Sequence, residues 1–210
     1  MTDRQPPTSA PLTLQLLQRI RAGDVGAREE LFAGAVPPLL TYVRVRLGPR
    51  LASKVEPIDV VQDALAAALP KIDEFEPHGR GAFVAWLCRI AERQIHDLHD
   101  HFSAKKRDAN RVVSEWSDIA TRLCAAGTNP LSAAARNDER IRLEAALLEL
   151  ESGERDVILA IYFEGRSLRE FAELEGVALT SLHRMLGRAI AKLGTALAAP
   201  DTNEYHGDAT

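Results

Sequence analysis

Three groupings of side chains in this sequence have the types and spacing to do chemistry. The first lies near the C-terminal end. Ser167 can accept backbone N–H bonds at a helix start, Glu170 completes a capping box three residues on, and Gly176 supplies a left-handed residue that stops the helix. A second helix is predicted almost at once, from Leu179 to Leu193, so the segment reads as a helix-turn-helix. One side of that helix carries Leu179, Leu182, Leu186, Ala189 and Leu193 at spacings of three and four; the other carries Thr180, Ser181, Arg184, Arg188 and Lys192. Arg184, Arg188 and Lys192 are four apart, a basic row that can follow a phosphate backbone while the helix start reaches base edges. Sequence-specific DNA binding is the chemistry this pattern supports. The second grouping is Asp59, Gln62 and Asp63, at i, i+3 and i+4, which puts two carboxylates and an amide on one helix face while Val60, Val61 and Leu65 turn inward. The third is His96-Asp97-Leu98-His99-Asp100-His101, where His96 and His99 are one helical turn apart and each precedes an Asp. A metal site there would need ligands from elsewhere, and His78, His183 and His206 show no spacing that nominates them, so a polar helix end is favoured over a metal or phosphohydrolase centre. There is no nucleophile elbow, phosphate-binding glycine loop or His-Glu metalloprotease motif, and the sequence points to neither an enzyme nor a cofactor.

The elements that must position these groups are helical throughout. Periodicity starts at Leu12 and runs to Arg21, breaks at Gly23-Asp24 and resumes over Val25–Leu31. Pro37-Pro38 is read as opening a further helix over Leu39–Leu47, closed by Gly48-Pro49. Pro57 and Pro70 bracket a short helix of strong helix formers that carries the Asp59 grouping. A longer helix is predicted from about Gly81 to Phe102, buried along Phe83, Leu87, Ile90, Ala91, Ile95 and Leu98, with Lys105-Lys106-Arg107 directly after it. From Asp108 to Arg136 the periodicity weakens, and Ala125-Ala126-Gly127-Thr128-Asn129-Pro130 has the clearest turn chemistry of the chain. The expected organisation is therefore all-α: a helical domain over residues 12–117, a flexible linker over 118–130, and a helix-turn-helix domain over 131–198, between disordered tails at 1–11 and 199–210.

Composition supports this division. Two small helical domains suit 210 residues of which 46% are apolar and only 5% aromatic. A net charge of −4 argues against indiscriminate nucleic-acid binding, so any DNA contact must come from local patches. Two cysteines, Cys88 and Cys124, make no disulfide framework or zinc-finger spacing, which fits a reducing interior. With no signal peptide and no apolar run of membrane-spanning length, the expected location is the cytoplasm and no membrane partner is expected.

Two separated segments, in the right order, are similar to one known family. The chain resembles a bacterial RNA polymerase sigma factor of the extracytoplasmic-function (ECF) type, a compact class with two helical domains. The similarity rests on Asp59-Val60-Val61-Gln62-Asp63-Ala64-Leu65, on Ile72-Asp73-Glu74-Phe75 and on Phe83-Val84-Ala85-Trp86-Leu87, followed by the helix-turn-helix. Asn129-Pro130 with Ala133-Ala134-Ala135-Arg136 also looks like the start of one subgroup's second domain. The resemblance implies that Asp59, Gln62 and Asp63 bind core RNA polymerase, a face suited to basic side chains on a coiled-coil partner. It implies that the promoter's minus-ten element is engaged from the helix and basic segment where Arg80, Arg89, Arg93, Lys105, Lys106, Arg107 and Arg111 stand. Trp86 beside Leu87 and Ile90 reads as core sooner than as a stacking residue, and Phe102 is balanced between the two. For the minus-thirty-five element, Thr180, Ser181, His183 and Arg184 are the candidates for base edges, and Arg169, Arg188 and Lys192 for phosphates. The partners implied are core RNA polymerase and promoter DNA, and members of the family are often held by an anti-sigma factor.

The chain departs from the family pattern at several positions. Arg93 stands where the family often has Asn, and His99-Asp100-His101 where close relatives have an Arg-rich run, which exchanges permanent positive charge for imidazoles and a carboxylate. His183 and Met185 occupy positions commonly basic, and Glu175 one commonly apolar. These departures keep two alternatives open: a degenerate sigma-like decoy that binds polymerase or an anti-sigma factor without opening DNA, and an autonomous helix-turn-helix regulator.

Overall fold

The computed structural model describes residues 12–79, 81–103, 117–127 and 134–198, and every regular element among them is helical. The chain divides between Asn129 and Pro130 into two compact units. In the first, α1 (Leu12–Arg21), α2 (Val25–Ala52), α3 (Pro57–Ala68), α4 (Ala82–Ser103) and α5 (Ser117–Gly127) pack around one core, with a 3₁₀ turn over Leu69–Glu74. Asp24 starts α2 by accepting a hydrogen bond from the Ala27 N–H at 3.1 Å, and Arg19 reaches across to Asp24 (2.7 Å) and Glu30 (3.1 Å). Pro57 opens α3 from its first turn, and Val60, Val61, Ala64, Leu65 and Ala68 form the buried face.

The structure differs from the sequence expectation at two places in this unit. Pro37-Pro38 does not open a helix: α2 runs through both prolines. The carbonyls of Ala33 and Gly34 cannot receive their usual i+4 bonds. The helix continues because Phe32, Ala35, Val36, Leu39, Leu40 and Val43 are all buried and hold both halves against one core. Its backbone leaves the helical region only at Gly48, at φ 62°. Second, most of the expected linker is helix α5, whose Ala120, Leu123 and Cys124 are buried where it packs on α2 and α3. These three residues make a single turn of stripe, too short to register as periodicity, and partners far away in sequence supply the burial.

The second unit contains α6 (Ala134–Glu149), α7 (Ser152–Ile158), which continues as a π-helical turn over Leu159–Phe163, α8 (Leu168–Glu175) and α9 (Leu179–Ala198). Val157, Ala160, Phe171, Ala172 and Leu182 form its core, with Ile161, Leu168, Met185 and Leu186 packed against them. Arg155 on α7 closes the end of α6, donating to the carbonyls of Leu147 (3.0 Å), Leu148 (2.7 Å) and Leu150 (2.8 Å) at and just beyond the last turn of that helix.

Candidate polymerase and nucleic-acid interfaces

The helix-turn-helix forms as its residues dictate. Ser167 Oγ accepts from the Glu170 N–H at 3.2 Å while the Ser167 N–H donates to Glu170 Oε2 at 2.7 Å, a reciprocal capping box. Gly176 ends α8 at φ 64°, the Val177 N–H donates back to the Ala172 carbonyl at 3.1 Å, and α9 starts two residues later. So tight a turn presents the start of α9 outward: Thr180, His183 and Arg184 are exposed and Ser181 is half-buried. Arg169, on α8, is exposed and pairs with Glu173 at 3.3 Å.

Two members of the basic row on α9 have other engagements. Lys192 Nζ lies 2.7 Å from Glu154 Oε2 and 3.5 Å from Glu151 Oε1, and Arg188 Nε lies 3.5 Å from Glu154 Oε1. The Glu154 side chain is only 2% exposed, whereas those of Arg188 and Lys192 are 59% and 47% exposed. The hydrogen bond from Lys192 holds the Glu154 carboxyl below its ordinary range, and the same bond raises the Lys192 ammonium. Helix geometry explains why the row divides. Residues four apart are rotated by about 40° from one another, so Lys192 sits about 80° round the axis from Arg184 and rolls onto the edge of the buried stripe.

In the first unit, Asp59 and Gln62 are half-buried and Asp63 is exposed, on the side of α3 away from Val60, Val61, Ala64, Leu65 and Ala68, with the buried Ala66 on their own side. On α4, Arg93 is exposed and Arg89 half-buried. Arg80, Lys105, Lys106, Arg107 and Arg111 lie outside the described residues. Trp86 stacks on Phe75 with ring centroids 4.9 Å apart and adjoins Phe83, so it belongs to an aromatic cluster of this unit, as its spacing beside Leu87 predicts. Phe102 is half-buried, with Lys54 Nζ 4.8 Å from its ring centroid and the His101 ring at its edge. His96 Nδ1 is 3.5 Å from Asp100 Oδ2, both exposed, and among the described residues no group of three His, Cys, Asp or Glu side chains could hold a metal ion. No described helix is long and apolar enough to cross a membrane.

These two helical units, one bearing an acid-amide face and the other a helix-turn-helix, are matched as a whole by the model of the ECF sigma factor family, over residues 12–199. The chain belongs to the ECF sigma factors. Among its relatives is the RNA polymerase sigma factor CnrH of Cupriavidus metallidurans, 30% identical over 146 residues, which span 67% of this chain and 73% of that protein. A solved structure of CnrH in complex with the cytosolic domain of CnrY is 25% identical, covers 89% of this chain and 94% of its own, and superposes with a TM-score of 0.34. This ECF sigma factor is thus a DNA-binding protein of transcription initiation.

Sequence reasoning missed two clusters in this sigma factor. Glu154 has partners 34 and 38 residues away, and no local pattern links them. The second is a network between α2 and α4, in which Tyr42 Oη donates to Glu92 Oε2 (2.7 Å) and Arg46 grips the same carboxylate with Nε at 2.8 and 3.0 Å. Its signal, a charged residue on the inner side of the predicted α4 beside the exposed Arg93, is present in the sequence and needs a partner on α2 to be interpretable.

Proposed function

We propose that this sigma factor docks on core RNA polymerase through Asp59, Gln62 and Asp63, engages the minus-ten element from α4 and the basic segment after it, and reads the minus-thirty-five element with the start of α9. The observation that carries the reading is the geometry of the helix-turn-helix, which presents Thr180, His183 and Arg184 together at the exposed N-terminal end of a packed helix. On α3 the acid-amide face has the charge to meet basic side chains of a partner. Net charge −4 makes tethering central: two weak DNA contacts joined in one chain and one polymerase complex gain through effective concentration. The protein acts as a specificity subunit, not an enzyme, and its partners on this reading are core polymerase, promoter DNA and an anti-sigma factor of the kind common in the family.

The test is initiation by the reconstituted holoenzyme on a library in which both upstream elements are randomised. The expected result is two separate blocks of sequence preference, one around minus ten and one around minus thirty-five. Polymerase binding with no initiation from any template would favour the decoy, whose supporting observation is the exposed Arg93 on α4 where the family often has Asn. DNA binding without any affinity for core polymerase would favour the autonomous regulator.

A further inference from the structure

We infer that Glu154 is a positioning residue for the minus-thirty-five reader: through Lys192 and Arg188 it clamps α9 onto α7, and those two cations serve this clamp instead of DNA phosphates. The inference rests on the reading of α9 proposed above and assigns the origin of its orientation. Three observations converge. The Glu154 carboxylate is almost wholly shielded, and two cations from α9 approach it, Lys192 at 2.7 Å and Arg188 at 3.5 Å. At the preceding residue, Gly153, the two helices come close, since an added Cβ would sit 3.4 Å from Sδ and Cε of Met185. Next to Glu154, Arg155 ties α7 to the end of α6 through three carbonyls. Successive residues of one short helix thus fasten the recognition helix on one side and the supporting helix on the other. A shielded carboxylate demands its cations, since leaving it unpaired is costly, whereas a phosphate would have to compete for Lys192 and Arg188 against a partner already in place. Arg184 is exposed, and among the described residues no carboxylate pairs with it.

The test uses the full chain bound to core polymerase and a fluorescein-labelled promoter duplex selected by the wild-type holoenzyme, with affinity measured across a salt series. Arg184→Ala is expected to weaken affinity for the selected duplex about tenfold, the size of one lost base-edge contact. Lys192→Ala and Glu154→Gln are each expected to weaken duplex affinity roughly fivefold, the size of one lost charge-assisted hydrogen bond at a partly exposed site, while leaving the salt slope at its wild-type value. Lys192→Arg, which keeps the charge, is expected to restore affinity. Circular dichroism at the assay temperature confirms that each variant is folded, and affinity for core polymerase, which involves the other unit, is expected to stay constant. A slope flattened by about one unit in Lys192→Ala would make Lys192 a phosphate ligand and overturn the inference. Unchanged affinity in folded Glu154→Gln would overturn it as well, by reducing the clamp to a contribution to stability alone. If Arg184→Ala leaves affinity unchanged while the clamp variants weaken it, the assignment of base contacts on α9 fails, and the positioning role of Glu154 stands apart from it.

Discussion

Leu182→Ala should separate the two units functionally. Leu182 is 2% exposed and sits at the centre of the helix-turn-helix core, against Val157 of α7 and Phe171 and Ala172 of α8. Truncating a buried leucine removes its transfer free energy and leaves a cavity, about 2.7–5 kcal/mol in total. Met185 and Leu186 adjoin the site and can relax into part of the space, so a value near the lower end, about 3 kcal/mol, is expected. At about 1.4 kcal/mol per factor of ten, protection of the slowest amides in α7, α8 and α9 against hydrogen exchange should fall roughly 100-fold. The described residues of this cluster all belong to the second unit, so amides of α2, α3 and α4 are expected to keep their protection. In transcription, the variant should retain core polymerase binding and lose preference for the minus-thirty-five element. A fall in protection below threefold, or an equal fall in both units, would refute the assignment of Leu182 to a separate core.

Other perturbations have equally definite outcomes. Ser167→Ala removes one half of the capping box and should cost about 1 kcal/mol, read as roughly fivefold faster exchange of α8 amides with little change in α2. Trp86→Ala should lower the unfolding midpoint of the first unit along with promoter opening, because Trp86 packs on Phe75 and Phe83; loss of opening at an unchanged midpoint would instead make it a base-stacking residue. The lowered pKa of Glu154 predicts that its contribution to the second unit is present above the ordinary carboxylate value of 4.5 and is lost as pH falls through the lower folded value; acid titration of α9 exchange should show this, and Glu154→Gln should abolish it. Burial pushes the Cys124 thiol up to about 11, so at pH 8 only about one molecule in a thousand carries the thiolate, and alkylation should await unfolding.

How far the sequence reaches is set by the range of the interaction concerned. The capping box, Gly176 and the break at Gly23-Asp24 depend on neighbours within a few residues, and each forms where its residue types dictate. Pro37-Pro38 misleads because a local helix breaker is overruled by burial of the residues on either side. Helix α5 is hidden by the same cause in reverse, since a weak local pattern is stabilised by α2 and α3. At the candidate site, spacing alone aligned Arg184, Arg188 and Lys192. Neither the 40° drift between successive members nor the acceptor waiting on α7 can be seen without the fold, and together they divide the row.

The most direct measurement is run-off transcription with purified core polymerase on a library of promoter fragments, with no added protein, with the wild type, and with Asp59→Ala/Gln62→Ala. Initiation at a defined set of promoters that requires the wild type and is lost with the double variant is the predicted result. Promoter-specific initiation that persists undiminished with the double variant would contradict the docking role of the α3 face, and absence of initiation with the wild type on every template would contradict the reading of this chain as an initiating sigma factor.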